Sequence, residues 1–166
     1  MEKRKSGKLK IFLWTLFIIY LIILVNLILF KNGNALLMTR YMRNLSIIDK
    51  LKLINLTPFK MISEFCTGGL SKHIIVENIL GNIVAFGPLG FLLPLLFTGI
   101  KKLKNVVIIG FMVSLFLEIT QLVFLLGSCD IDDIILNTLG AIIGFLVFFY
   151  LNKYRKYYTK KVLNTY

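Results

Sequence analysis

Glu118 and Gln121 stand three residues apart, with Ser114 one turn before them, inside a run from Val106 to Leu126 that is otherwise largely apolar. Residues at three- and four-step intervals share a helical face. Two further sets keep the same spacing: Asn78 with Asn82, and Asp130, Asp133 and Asn137, with Thr138 beside the last. Carboxylates and amides gathered in this way can do two kinds of chemistry. They can exchange hydrogen bonds with the hydroxyls or amines of a polar headgroup. Alternatively, Glu118 can act as general acid or base with Asp133 as its ionised partner. Asp132 and Asp133 project about 100° apart on a helix, so they do not form a carboxylate dyad. His73 is the sole histidine, so no Ser or Cys nucleophile has an obvious His nearby. No CxxC, HExxH, Walker or GxSxG pattern occurs, and neither a metal nor another cofactor is expected.

Plainer roles stand beside these. Asp130 or Asp132 can cap the helix that starts there, since a carboxylate accepts from the unpaired N–H groups of a first turn. Asn78 and Asn82 can bridge helices, and His73 at the interface needs no ligand role. Glu118 differs because it falls inside a span, where backbone groups already pair. An ionised carboxylate at that depth costs about 2.5–3.5 kcal/mol, so it should face the bundle interior or water. It needs a partner, for which Arg40 and Arg43 are the candidates, or a proton of its own.

Four apolar stretches must position these residues: Ile11–Phe30, Ile74–Phe97, Val106–Leu126 and Ile131–Leu151. Each has about the 20 residues that a helix needs to cross a bilayer core. The chain is 57% hydrophobic and only 17% charged, with a mean hydropathy of +0.81. An unpaired backbone is not tolerated in hydrocarbon, so each stretch is expected to be helical. Alternating ten-residue strands of the barrel kind are absent. The expected architecture is all-α: one integral membrane domain over residues 1–166, with four transmembrane helices and an outer interfacial segment. The first stretch is expected to remain as an anchor, because Lys31-Asn32-Gly33-Asn34 offers no small-x-small cleavage site. Pro88 predicts a kink near Val84–Pro88. Gly81, Gly87, Gly90, Gly140 and Gly144 suit close helix approach, and Gly68-Gly69 suits a turn before the second span.

Thirteen of the twenty basic residues flank the spans on one side: five before the first, three at Lys101, Lys102 and Lys104, and five from Lys153 to Lys161. Seven lie on the other side, all between Lys31 and His73. The positive-inside rule therefore puts both termini in the cytoplasm, in a multi-pass protein of the cell (inner or plasma) membrane. The net charge of +12 then faces the inner leaflet, where anionic lipid suits it better than nucleic acid does. Under this topology Asn78–Asn82, Ser114–Gln121 and Asp130–Asn137 lie at one depth near the outer leaflet. Cys66 and Cys129 also fall outside, either paired or as two thiols.

These residues resemble the VanZ-like family, named for a teicoplanin-resistance membrane protein. The resemblance lies in Asn55-Leu56-Thr57-Pro58-Phe59, in Asn82-Ile83-Val84-Ala85-Phe86-Gly87-Pro88-Leu89-Gly90, and in Ser114 through Gln121 with its E-x-x-Q. It continues in the D-I-x-D-x-x-x-N-T-x-G run from Asp130 to Gly140. Together these cover about residues 54–145. Where the family often carries a basic residue or a small polar pair before that run, this chain has Gly127-Ser128-Cys129, so Arg40 or Arg43 would supply the cation. The resemblance implies a cell-envelope membrane protein associated with low-level resistance to lipid-bearing glycopeptides, and it brings no agreed catalytic set. Two functions stay open. One is binding of an envelope lipid or glycan headgroup, or a lipoglycopeptide, through Asn78, Asn82, Ser114, Glu118, Gln121, Asp130, Asp133 and Asn137. The other is a membrane-embedded enzyme acting on a lipid-linked envelope substrate. Expected partners are membrane lipids and such a ligand.

Overall fold

The computed structural model describes residues 2–31, 35–60, 63, 64, 67 and 72–163. Four helices in it are long and apolar enough to cross a membrane. They are α1 (Glu2–Leu29), α4 (Lys72–Leu96), α5 (Leu103–Val123) and α6 (Ile131–Leu163). Between α1 and α4 come two short helices, α2 (Ala35–Arg43) and α3 (Ile47–Leu51), and a two-residue strand, β1 (Ile54–Asn55). Ser46 caps α3 by accepting from the Asp49 N–H at 3.2 Å, and the Asp49 carboxylate takes the Lys52 ammonium at 2.8 Å. A second two-residue strand, β2 (Cys129–Asp130), lies parallel to β1, with Ile54 opposite Cys129 and Asn55 opposite Asp130. The pairing is too short for a periodicity signal, and it ties the segment after α3 to the start of α6.

The boundaries differ from the hydropathy estimate most in the first, third and fourth helices: α1 starts at Glu2 rather than at Ile11, and α5 at Leu103 rather than at Val106. The third span ends at Val123 rather than at Leu126. The fourth helix runs 33 residues, to Leu163, so Lys153–Lys161 is the last part of a helix and not a loose tail. At 1.5 Å per residue such a helix is about 50 Å long, well beyond a hydrocarbon core of about 30 Å.

Lipid offers helices no hydrophobic drive to associate, so packing must come from close fit. The tightest seam is that of α4 with α6. A Cβ on Gly140 would meet the Ile83 carbonyl oxygen, one on Gly144 that of Gly87, and one on Gly90 that of Ala141. Backbone thus lies on backbone, as Cα–H···O contacts between helices require. A Cβ on Gly81 or on Gly87 would meet nothing within 4 Å, so Gly81 has no part in the seam and Gly87 joins it only through its carbonyl, which corrects their assignment as glycines that the close approach requires. Pro88 sits within α4, which is continuous from Lys72 to Leu96. The Pro88 ring removes the donor that would serve the Val84 carbonyl. The Tyr20 hydroxyl donates to the next carbonyl, that of Ala85, at 2.8 Å.

Away from that seam, Phe17, Leu24, Phe86, Leu89, Leu92, Val106, Leu117 and Phe145 form a buried apolar core. Trp14 packs edge-on against Phe97 with centroids 5.1 Å apart. Many large side chains remain exposed, among them Ile11, Phe12, Val84, Phe116 and Val147, as a surface in contact with lipid requires.

The seam generates a test. Gly144→Leu should destabilise the fold by about 1–3 kcal/mol, the usual cost of overpacking, and Gly81→Ala should leave stability unchanged or slightly raised. Thermal unfolding of the two purified variants checks this; an equal loss in both would refute the seam.

Candidate functional site

The polar faces of α4, α5 and α6 meet at one end of the bundle. α4 and α6 begin there, and α1 and α5 end there, so residues far apart in sequence reach the same level. Asn82 is buried on α4, and its amide Nδ2 donates to Asp133 Oδ1 at 2.6 Å and to Asn78 Oδ1 at 3.1 Å. The three side chains form a rim into which Lys31 extends from the end of α1. Its ammonium donates to Asp133 Oδ2 at 2.9 Å, to Asn82 Oδ1 at 3.3 Å and to Asn78 Oδ1.

Lys31 is the residue that sequence reasoning missed. The cation that reaches the cluster is this lysine. Arg40 and Arg43 lie exposed on α2, and no described ion pair joins either to a carboxylate. A signal existed: Lys31 follows the first span directly, at the end where the polar residues of the other three spans collect.

Glu118 lies beneath the rim, 1% exposed. Its Oε2 accepts from the Asp130 N–H at 3.0 Å. Its Oε1 is buried with no hydrogen-bond partner. Asp130 caps α6: its Oδ1 accepts from the Asp132 N–H at 2.9 Å and from Asn55 Nδ2 at 3.0 Å. Burial pushes the Asp130 carboxyl above its ordinary range. The Asp132 N–H and the Asn55 amide oppose that push, while the Asp133 and Asp132 charges add to it. Asp132, the other candidate cap, instead accepts from the Phe59 N–H at 2.5 Å. It thereby holds Phe59, whose φ of 61° lies in the left-handed region that a bulky side chain seldom adopts.

The remaining members are structural in what they touch. Asn137 Nδ2 donates to Ser114 Oγ at 2.9 Å, joining α6 to α5, with both residues fully buried. Asn137 Oδ1 has no partner. Gln121 Nε2 donates at 2.7 Å to the carbonyl of Ile28 in the last turn of α1, which also takes the Lys31 N–H at 3.4 Å. His73 pairs with Glu77 at 3.2 Å on the surface. Cys129 is a free thiol; Cys66, like Gly68 and Gly69, lies outside the described residues. Among the described residues no group of three or more His, Cys, Asp or Glu is placed to hold a metal ion.

All eight sequence-derived residues therefore lie at the same end of the bundle, largely knitted to one another rather than lining an open chamber. Beside them lies an apolar cavity of about 260 Å³ bounded by Ile79 and Ile83 of α4, Asp132, Ile135, Leu136 and Leu139 of α6, and Phe59.

Residues 17–152 match the family described as VanZ/LLP1. A curated relative, Protein VanZ of Enterococcus faecium, is 31% identical over 137 residues, covering 82% of this chain and 73% of that protein. No solved structure matches. With four spanning helices and this extent of similarity, the chain belongs to the VanZ/LLP1 family of multi-pass membrane proteins.

Proposed function

We propose that the protein binds the headgroup of an envelope lipid or glycan, or of a lipoglycopeptide, at its polar cluster, and so contributes to low-level resistance of the teicoplanin type. One observation carries this: two unlike surfaces adjoin on the same pair of helices. Asn78, Asn82 and Asp133 face Lys31, and their sequence neighbours Ile79, Ile83 and Asp132 line the apolar cavity. An amphipathic ligand meets polar atoms and hydrocarbon within a helical turn. The thirteen basic residues gather at the opposite end, which by the positive-inside rule is cytoplasmic. The cluster then faces outward, where a glycopeptide first meets the membrane.

A second reading, a membrane-embedded enzyme on a lipid-linked envelope substrate, draws on one atom. Glu118 Oε1 has no partner and could take or pass a proton, with Asp133, paired to Lys31, as the neighbouring charge. Turnover separates the two. A purified protein that alters envelope lipids, and loses this with Glu118→Gln, would replace binding with catalysis.

Glu118→Gln also tests the site itself. A glutamine oxygen can still accept from the Asp130 N–H, at nearly the same side-chain volume and without a charge to bury. The fold should survive. Membrane levels are expected near normal while protection falls to that of cells lacking the protein. Asn137→Ala should act in the same direction. Glu64→Gln, at an exposed pair with Lys60, should do little. Retained protection in Glu118→Gln, or loss of the protein from the membrane, would reduce the cluster to scaffolding.

Orientation is tested with single cysteines in a chain whose Cys66 and Cys129 are changed to serine. Lys102→Cys and Lys156→Cys should resist an impermeant thiol reagent in intact cells and react after lysis. Labelling of both in intact cells reverses the topology.

A further inference from the structure

A primary ammonium has three N–H donors and no acceptor. The Lys31 ammonium donates to three oxygens, Asn78 Oδ1, Asn82 Oδ1 and Asp133 Oδ2. One of the three is charged, which makes that bond the strongest kind available here.

The acceptors hold one another independently of the lysine. Asn82 spends its amide hydrogens on Asp133 Oδ1 and Asn78 Oδ1. That fixes the amide with Oδ1 toward the ammonium. All three residues belong to α4 and α6, whose seam is the closest in the molecule. Lys31 follows α1 by two residues, and α1 is the least embedded of the four spanning helices. Only 17% of its most apolar stretch is buried, against 44% for α4. The Lys31 side chain is 29% exposed and that of Asp133 15%, so the tripod opens at the surface, with Asn82 its most buried member. A preformed receptor is filled by a mobile-length side chain from a loosely held neighbour.

We propose that Asn78, Asn82 and Asp133 form a binding site for a primary ammonium group, which the chain fills with its own Lys31 and which the amine of a bound headgroup takes over. This deepens the headgroup-binding function and rests on it for the identity of the visitor. It narrows the ligand to one bearing a primary amine. A quaternary ammonium has no N–H to give, and a guanidinium presents a flat fork that does not suit a tripod.

The test is chemical rescue, in the full chain held in nanodiscs of phosphatidylcholine and phosphatidylglycerol, which contribute no primary amine. Lys31→Ala should lower the melting temperature by on the order of 5–10 °C, since it strands the Asp133 charge. n-Butylammonium should restore at least half of that loss with a saturable dose dependence. Tetramethylammonium, with the same charge and no N–H, should restore none, and neither should 1-butanol. Lys31→Arg keeps the charge and should melt well below the wild type. Replacing part of the phosphatidylcholine with phosphatidylethanolamine should raise the melting temperature of Lys31→Ala more than that of the wild type. If Lys31→Ala can be recovered folded only with n-butylammonium present throughout purification, that recovery is the rescue.

Equal rescue by tetramethylammonium, no rescue by n-butylammonium, or a Lys31→Arg variant as stable as the wild type would each overturn the ammonium site. Failure to recover Lys31→Ala with or without the amine would do so too. No arm of the experiment measures antibiotic protection. Loss of the ammonium site therefore leaves headgroup binding to be judged by Glu118→Gln, and the two failures are distinguishable.

Discussion

Close backbone approach of α4 and α6 is the constraint on which the rest depends. Gly140 and Gly144 lie against the carbonyls of Ile83 and Gly87, and Gly90 against that of Ala141. Bulkier residues there would push the helices apart. The Asn82–Asp133 hydrogen bond at 2.6 Å spans this same pair of helices, and short polar side chains cannot stretch to follow a wider spacing. The glycines in the middle of the seam thus set the geometry of the polar rim at its end. In lipid this is the available route, because association rests on fit and on interhelical hydrogen bonds rather than on burial of apolar area.

The polar cluster is arranged in levels that answer different needs. At the rim, Lys31 compensates Asp133 and orients against two amides. Next to it, Asp130 satisfies the first turn of α6 and, through its own N–H, gives Glu118 a partner. Deeper still, Ser114 and Asn137 join α5 to α6, and Gln121 closes the carbonyl end of α1. Capping and bridging, offered at first as alternatives to function, are therefore what several of these residues do. That does not empty the site. Two buried acceptors, Glu118 Oε1 and Asn137 Oδ1, have no hydrogen-bond partner, and unpaired buried polar atoms of this kind usually have a further explanation.

Outside the bundle, the parallel pairing of Ile54–Asn55 with Cys129–Asp130 and the Phe59–Asp132 contact bring the Asn55–Phe59 segment over the start of α6. Two motifs that the sequence separates by some seventy residues thereby become one structure. Asn55 supports the Asp130 cap, and Phe59 walls the apolar cavity. Phe59 remains in a left-handed conformation that its side chain disfavours, held by the hydrogen bond from its own N–H to Asp132.

Length and hydropathy alone determined the four spans, since about 20 apolar residues in hydrocarbon have no option but to satisfy their backbone as a helix. Spacing alone determined that Asn78 and Asn82, Ser114 through Gln121, and Asp130 through Asn137 each share a face. The order of spans made their depths agree. What sequence could not determine was which atoms meet, because that depends on how far each helix is rotated and how closely it approaches its neighbours. Lys31 reaches Asp133 across 102 positions, and Gln121 reaches the Ile28 carbonyl across 93; no local periodicity encodes either contact. Arg40 and Arg43 were likewise named as partners for the carboxylate and Lys31 was passed over, because residue type and position do not say which side chain has a path to the cluster. Only the packing of α1 against α4 and α5 supplied that path.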